Sequence, residues 1–119
     1  MLNEVMLALR VTEMEYAPEI CELIVAAEKD LRIAGVEIDG ESLFEITVTT
    51  DAITNEKNIN VTDNSTIEDA LIMTAIKTYV RMHFGSPPDY DRLEKSYDLQ
   101  RRQLANATGY TDFGEDEGS

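Results

Sequence analysis

The sequence contains no tryptophan, one cysteine, one histidine, three prolines and only 10 basic residues among 119. Each shortage closes off a class of chemistry. One cysteine, Cys21, cannot form an intrachain disulfide, and with His83 as the sole histidine there is no Cys/His set at zinc-ligand spacing. No window approaches the roughly 20 consecutive apolar residues of a membrane span. The start, Met1-Leu2-Asn3-Glu4, lacks the basic residues and apolar run of a signal peptide. A phosphate-binding glycine loop, a nucleophile elbow and a paired-histidine helix are also missing. The expectation is a soluble, cytoplasmic, non-enzymatic protein with no cofactor, no metal and no membrane partner.

What the chain has in excess is acid. Its 24 Asp and Glu against 10 Lys and Arg give a formal charge of −14. Such a molecule repels nucleic acid and anionic lipid out to the screening length. The basic residues occur mainly as pairs among acids, Lys29/Arg32, Lys77/Arg81 and Arg101/Arg102, and form no cluster of four. At 119 residues the chain is one domain, with a single modest core.

Hydrophobic spacing divides that domain into elements. Leu2, Val5, Met6 and Leu9 mark a short amphipathic helix over 2–10, too short to stand alone. Pro18 with Glu19 and Glu22 opens a second helix over 17–34, and Gly35 stops it. Phe44, Ile46 and Val48, then Ile59 and Val61, alternate with polar residues and predict two strands joined by a loop over 51–57. Asp63, Asn64 and Ser65 offer an N-cap to a third helix over 67–84, and Gly85 follows it. Apolar residues surround most of this third helix, leaving Thr74, Lys77, Thr78 and Arg81 as a narrow polar stripe. A helix apolar nearly all round is a buried one, so its spare face is expected to meet another copy of the chain. Pro88 opens a last helix to about Asn106, striped by Tyr90, Leu93, Tyr97 and Leu104, with Asp91–Lys95 and Asp98–Arg102 as i,i+4 pairs.

The predicted fold is mainly α: a small bundle of three to four helices with a two-stranded β insertion at about 36–62, between the second and third helices. Residues 1–108 form the domain, and 109–119 form a flexible acidic tail.

Local chemistry is sparse. His83 has no carboxylate or nucleophile partner in the local sequence and reads as structural. Cys21 sits in the apolar run Ile20–Ile24 and reads as buried and inert. Asp89-Tyr90-Asp91 lacks the glycine and twelfth-position glutamate of a calcium loop and reads as helix capping. Three glycosylation tripeptides, at Asn60, Asn64 and Asn106, carry no meaning without secretion.

The run Ala70-Leu71-Ile72-Met73-Thr74-Ala75-Ile76-Lys77-Thr78-Tyr79-Val80-Arg81-Met82-His83-Phe84-Gly85, followed by an acidic-proline break and Arg92-Leu93-Glu94-Lys95-Ser96-Tyr97, resembles the head-tail connector (head completion, adaptor) family of tailed bacteriophages. The opening is similar too, in Val5-Met6-Leu7-Ala8-Leu9-Arg10-Val11-Thr12 and in Glu19-Ile20 through Asp30-Leu31. The resemblance covers the first third and the last third of the chain and leaves 36–62 aside. It implies a helical subunit that assembles as a ring of about twelve copies under the portal protein, completes the DNA-filled head and presents a docking surface to the tail or to a stopper or tail-terminator protein. It also implies a place in the virion, reached from the host cytoplasm, and no catalytic residue.

A head-to-tail ring needs two complementary patches on each subunit. The candidates are Thr74, Lys77, Tyr79, Arg81 and Met82 on the third helix against Glu22 and Glu28 of a neighbour. Tyr110, Asp112 and Phe113 of the tail are candidates for contact with the portal or tail. DNA is expected to pass the acidic lumen without specific binding. The competing reading is an acidic DNA mimic or inhibitor whose carboxylates imitate phosphates in a basic protein groove.

Overall fold

The computed structural model describes residues 1–109. Four helices, α1 (Leu2–Leu9), α2 (Ala17–Ile33), α3 (Ala70–His83) and α4 (Tyr90–Gly109), enclose one core, and a short 3-10 turn at Met14–Tyr16 precedes α2. Strands β1 (Phe44–Thr50) and β2 (Lys57–Asp63) form a two-stranded antiparallel sheet between α2 and α3. The architecture is the mainly α bundle with a β insertion that the hydrophobic pattern predicts. No helix among the described residues is long and apolar enough to cross a membrane. Tyr110, Asp112 and Phe113 lie outside the described residues.

The core follows from side-chain period and size. On α2 the fully buried Ile20, Ile24, Ala27 and Leu31 recur every three or four residues, which keeps them on one face. Ala17, Ala27 and Ala75 have no exposed surface, so the helix backbones can approach closely there. Ile72, Ile76 and Val80 of α3 join this face, α1 adds Leu2, Val5 and Met6, and α4 adds Leu93, Tyr97 and Leu104.

α3 departs from expectation in two ways. It begins at Ala70, capped by Asp69, whose carboxylate accepts from the backbone N–H of Leu71 at 2.8 Å and of Ile72 at 3.2 Å. The expected cap, Asp63, ends β2 instead and is bound to the start of the chain. Second, α3 packs on α1, α2 and α4 at once, so its apolar circumference is largely covered within one chain. Leu71, at 68% exposure, is its one strongly exposed apolar side chain. Thr78, read as part of a polar stripe, is buried, and its hydroxyl donates to the Thr74 carbonyl at 3.0 Å. That bond satisfies the hydroxyl inside the helix.

A polar lock ties α2 to α4. Asp30 accepts from the Tyr97 hydroxyl at 2.6 Å and from Arg101 at 3.0 Å, and Arg101 also lies 5.5 Å from the Tyr97 ring centroid. Burial and the bond to Asp30 push the Tyr97 hydroxyl far above the usual phenol range, so it stays a donor. Arg101, turned inward, draws Asp98 to it at 3.0 Å. The expected pairing of Asp98 with Arg102 is replaced: Arg102 donates to the Asp98 carbonyl. The first-turn pair is Arg92–Asp89 rather than Asp91–Lys95.

Both short-range helix stops use the same turn. After α2, Gly35 takes the left-handed conformation at φ 99°, with Gly35 N–H on the Arg32 carbonyl and Val36 N–H on the Leu31 carbonyl, each at 3.0 Å. After α1 the bonding is the same, from Arg10 to Leu7 and from Val11 to Met6, but the left-handed residue is Arg10, at φ 59°. An L side chain in that region is strained. Arg10→Gly should therefore raise the unfolding free energy by about 0.5–1 kcal/mol in a urea titration.

Candidate assembly surface

The segment 34–43 leaves α2, buries Val36 and Ile38 against the core, and turns into β1 through a dense polar root. Glu28, on the middle of α2, accepts from the backbone N–H of Ser42 at 2.8 Å, from the Ser42 hydroxyl, and from Arg32 at 2.9 Å. Arg32 also donates to the Gly40 carbonyl at 2.8 Å. On the return side, Thr66 and Ser65 hydroxyls accept from the N–H groups of Glu41 (3.0 Å) and Leu43 (3.1 Å). Asp63 accepts from Leu2 N–H at 2.8 Å and Ser65 N–H at 3.0 Å and pairs with the Met1 ammonium at 3.0 Å. Burial works against the charge on both carboxyls, but the bonds from Ser42 and Arg32 to Glu28 outweigh it and hold that group below its ordinary value. The bonds from Ser65, Leu2 and Met1 do the same for Asp63 and hold it at about 2.

From this root the strands project as a ribbon. Pairing runs from Phe44↔Asp63 through Ile46↔Val61 and Val48↔Ile59 to Thr50↔Lys57. Alternation puts Phe44, Ile46, Val48, Ile59 and Val61 on one face and Glu45, Thr47, Thr49, Asn58, Asn60 and Thr62 on the other. The apolar face is covered near its base, where Phe44 and Val61 pack against the core, and at Ile59, which is half-buried beside Met14 and Glu15 of the 3-10 turn. Farther out Ile46 is 40% exposed and Val48 52%, and in the loop 51–56 Ile53 is 93% exposed. That loop is closed by the Asp51 carboxylate, which accepts from Ile53 and Thr54, and by Asn55 in the left-handed conformation.

Beside the ribbon base, α2 and β1 enclose an apolar groove of about 600 Å³, lined by Glu22, Val25, Lys29, Leu43, Phe44 and Ile46, with Cys21 at its wall. Burial pushes the Cys21 thiol up to about 11, with the Asp63 charge adding to the shift, so it stays protonated and unreactive at neutral pH.

The residues expected to form one interface are dispersed. Glu22 lines the ribbon groove. Glu28 is bound inside the chain by Ser42 and Arg32. Tyr79 is partly buried against the Tyr97 ring, 5.4 Å away, and the His83 ring, 4.4 Å away, while Met82 is buried. Thr74 borders a hollow between α3 and α4 with Leu71 and Gln100, and its hydroxyl is bound to the Ala70 carbonyl at 2.9 Å. Lys77 sits near Glu4 of α1, and Arg81 faces a separate groove shared with Arg10. Exposed apolar side chains lie on the ribbon and its loop, at Ile46, Val48 and Ile53, and on the helices, at Leu7, Ile33, Leu71 and Leu99. The alternation of β1 is visible in the sequence, but which of its apolar residues stay exposed is not. Among the described residues no group of three or more His, Cys, Asp or Glu is placed to hold a metal ion.

Two stability predictions follow from the root. Asp63 has a folded pKa of about 2 against an ordinary 3.8, so its contribution is complete above about pH 5 and is lost as the pH falls through 4 toward 2. The stability gap between the natural chain and Asp63→Asn, read by urea unfolding, should be present at pH 7 and close by about pH 2. At Gly40, φ is 99° and an added Cβ would lie 2.7 Å from the Thr66 carbonyl oxygen. Gly40→Ala should destabilise the chain by more than about 1 kcal/mol and loosen amide protection at Glu41 and Leu43.

No protein-family model matches the chain, and neither a curated protein nor a solved structure matches it.

Proposed function

We propose that this chain is a structural subunit of a phage head-tail connector: a non-enzymatic adaptor that assembles as a ring under the portal protein, completes the head and offers the tail or stopper protein its docking surface in the virion. The observation that supports this reading best is the ribbon. A closed helical body carries a firmly rooted arm whose apolar face keeps Ile46 and Val48 exposed and continues into the α2–β1 groove. A two-stranded ribbon has little stability of its own in water and two open edges, so a partner that covers its face or extends its edge is favoured. A neighbour that receives the arm at a different surface of its own makes a head-to-tail contact, the kind that closes into rings.

The basis for assembly thus differs from the one the sequence suggests. α3 is largely covered within its own chain, and the insertion offers exposed apolar residues in its place. The resemblance of the helical segments to connector proteins supplies the identity of the assembly. The acidity fits the role: a ring of about twelve copies would carry a formal charge near −170, and a lumen poor in basic groups gives DNA phosphates nothing that releases their counterions.

Electron microscopy of the chain mixed with a cognate portal tests the proposal. The natural chain should decorate the portal as a ring, and Ile46→Asp/Val48→Asp should remain folded by circular dichroism but fail to do so. Portals left bare by the natural chain would remove the connector reading. Rings formed equally well by the double variant would remove the ribbon from the interface.

A further inference from the structure

On a surface distinct from the ribbon, the ends of α1 and α3 and the beginning of α4 enclose a groove of about 510 Å³. Leu9, Phe84 and Leu93 give it an apolar lining, and Arg10 and Arg81 stand exposed along it. Neither arginine is within ion-pair or hydrogen-bond distance of another described side chain, although the Arg81 charge acts on Asp89 in the same groove. Asp89 is the one acid lining the groove; its carboxylate is held by Arg92, and the pairing keeps it ionised below its ordinary range. In a chain of formal charge −14, the groove is a local reversal of sign: two lining guanidiniums, Arg10 and Arg81, against the carboxylate of Asp89, beside partly exposed apolar surface of Leu9 and Phe84.

The matching ligand is an acidic peptide with an aromatic anchor, and the chain itself contains one. Residues 110–117, Tyr-Thr-Asp-Phe-Gly-Glu-Asp-Glu, carry four acids and no base, with Tyr110 and Phe113 as anchors. We infer that this segment docks in the Arg10/Arg81 groove of a second copy of the chain. Reach decides between copies. Leu93 borders the groove and Gly109 ends α4, so the segment begins about 24 Å of helix away from the groove at 1.5 Å per residue. Four extended residues span at most about 14 Å, less than that separation, which favours the groove of a second copy for Phe113. Donor and acceptor at opposite ends of α4 give another head-to-tail contact, which polymerises around a ring. The contact deepens the proposed function and rests on it for ring closure, while the docking itself stands on the charge and geometry of the groove.

Arg10 gives the assignment a second handle. It holds a left-handed backbone at the end of α1, where glycine would be unstrained. If its guanidinium served only to offset the negative end of α1, removing it would cost stability. On the present inference Arg10→Gly raises the thermal midpoint yet weakens docking.

The test titrates a fluorescently labelled peptide of residues 110–117 with the full chain and reads anisotropy. Expected is saturable binding at low salt that falls at least about tenfold in Arg10→Glu/Arg81→Glu and on raising the salt from about 0.05 to 0.5 M. Phe113→Ala in the peptide, and Arg10→Gly in a chain that melts no lower than the natural one, should each weaken it. No binding, equal binding of a scrambled peptide, or unchanged binding to the double-reversal variant would overturn the inference. So would tight peptide binding by a chain whose sedimentation mass is independent of concentration, which would place the segment on its own body. Peptide binding without rings on a portal would reject the connector alone; rings without peptide binding would reject this contact alone.

Discussion

The outgoing strand of the ribbon is attached through one carboxylate. Glu28 faces the chain as it returns from α2, and its two oxygens take the backbone and hydroxyl of Ser42 and the guanidinium of Arg32, which in turn holds the Gly40 carbonyl. A backbone leaving a helix bundle must satisfy its polar groups where water is partly excluded. Glu28 does this for the outgoing strand, while Ser65, Thr66 and Asp63 do it for the returning one. The two-stranded insertion is consequently joined to the body by bonds on both strands, and its direction is set by α2 rather than by the loop at its tip.

The body can hold such an arm because it needs nothing else to close it. Four helices of unequal length cover one another around the fully buried Ile20, Ile24, Leu31, Ile76, Val5 and Val80. Asp30 fixes α4 against α2 with two charge-assisted or buried hydrogen bonds. Among the surfaces left open to partners are the outer ribbon, the groove between α2 and β1, and the groove at Arg10 and Arg81. The first groove is mainly apolar and the second carries two arginines in an otherwise acidic molecule, so each selects a different kind of contact.

Much of the fold is legible in residue spacing. The period of Ile20, Ile24, Ala27 and Leu31 marks α2, its Pro18 and Gly35 bound it, and the alternation of Phe44, Ile46 and Val48 marks β1. The boundary of α3 is less legible because three candidate caps precede it. The first of them, Asp63, is occupied by Leu2 and Met1, some sixty residues away in sequence, and Asp69 caps α3 instead. Asp98 is misread for a similar reason: its local partner Arg102 competes with Arg101, and only the position of Asp30 decides the outcome. Of the residues expected at an interface, Tyr79, Met82 and Glu28 are engaged by packing and hydrogen bonding within the chain, while Arg10, inconspicuous in sequence, makes no ion pair with another described residue.

By itself the sequence determined the element types, their order and the sign of the overall charge, because helix and strand periods, caps and composition are local properties. Tertiary structure alone decided which apolar surface remained open. Burial is settled by which elements meet across the core: α3, apolar on most sides, found three helices to cover it, whereas the ribbon, apolar on one face, keeps Ile46 and Val48 exposed.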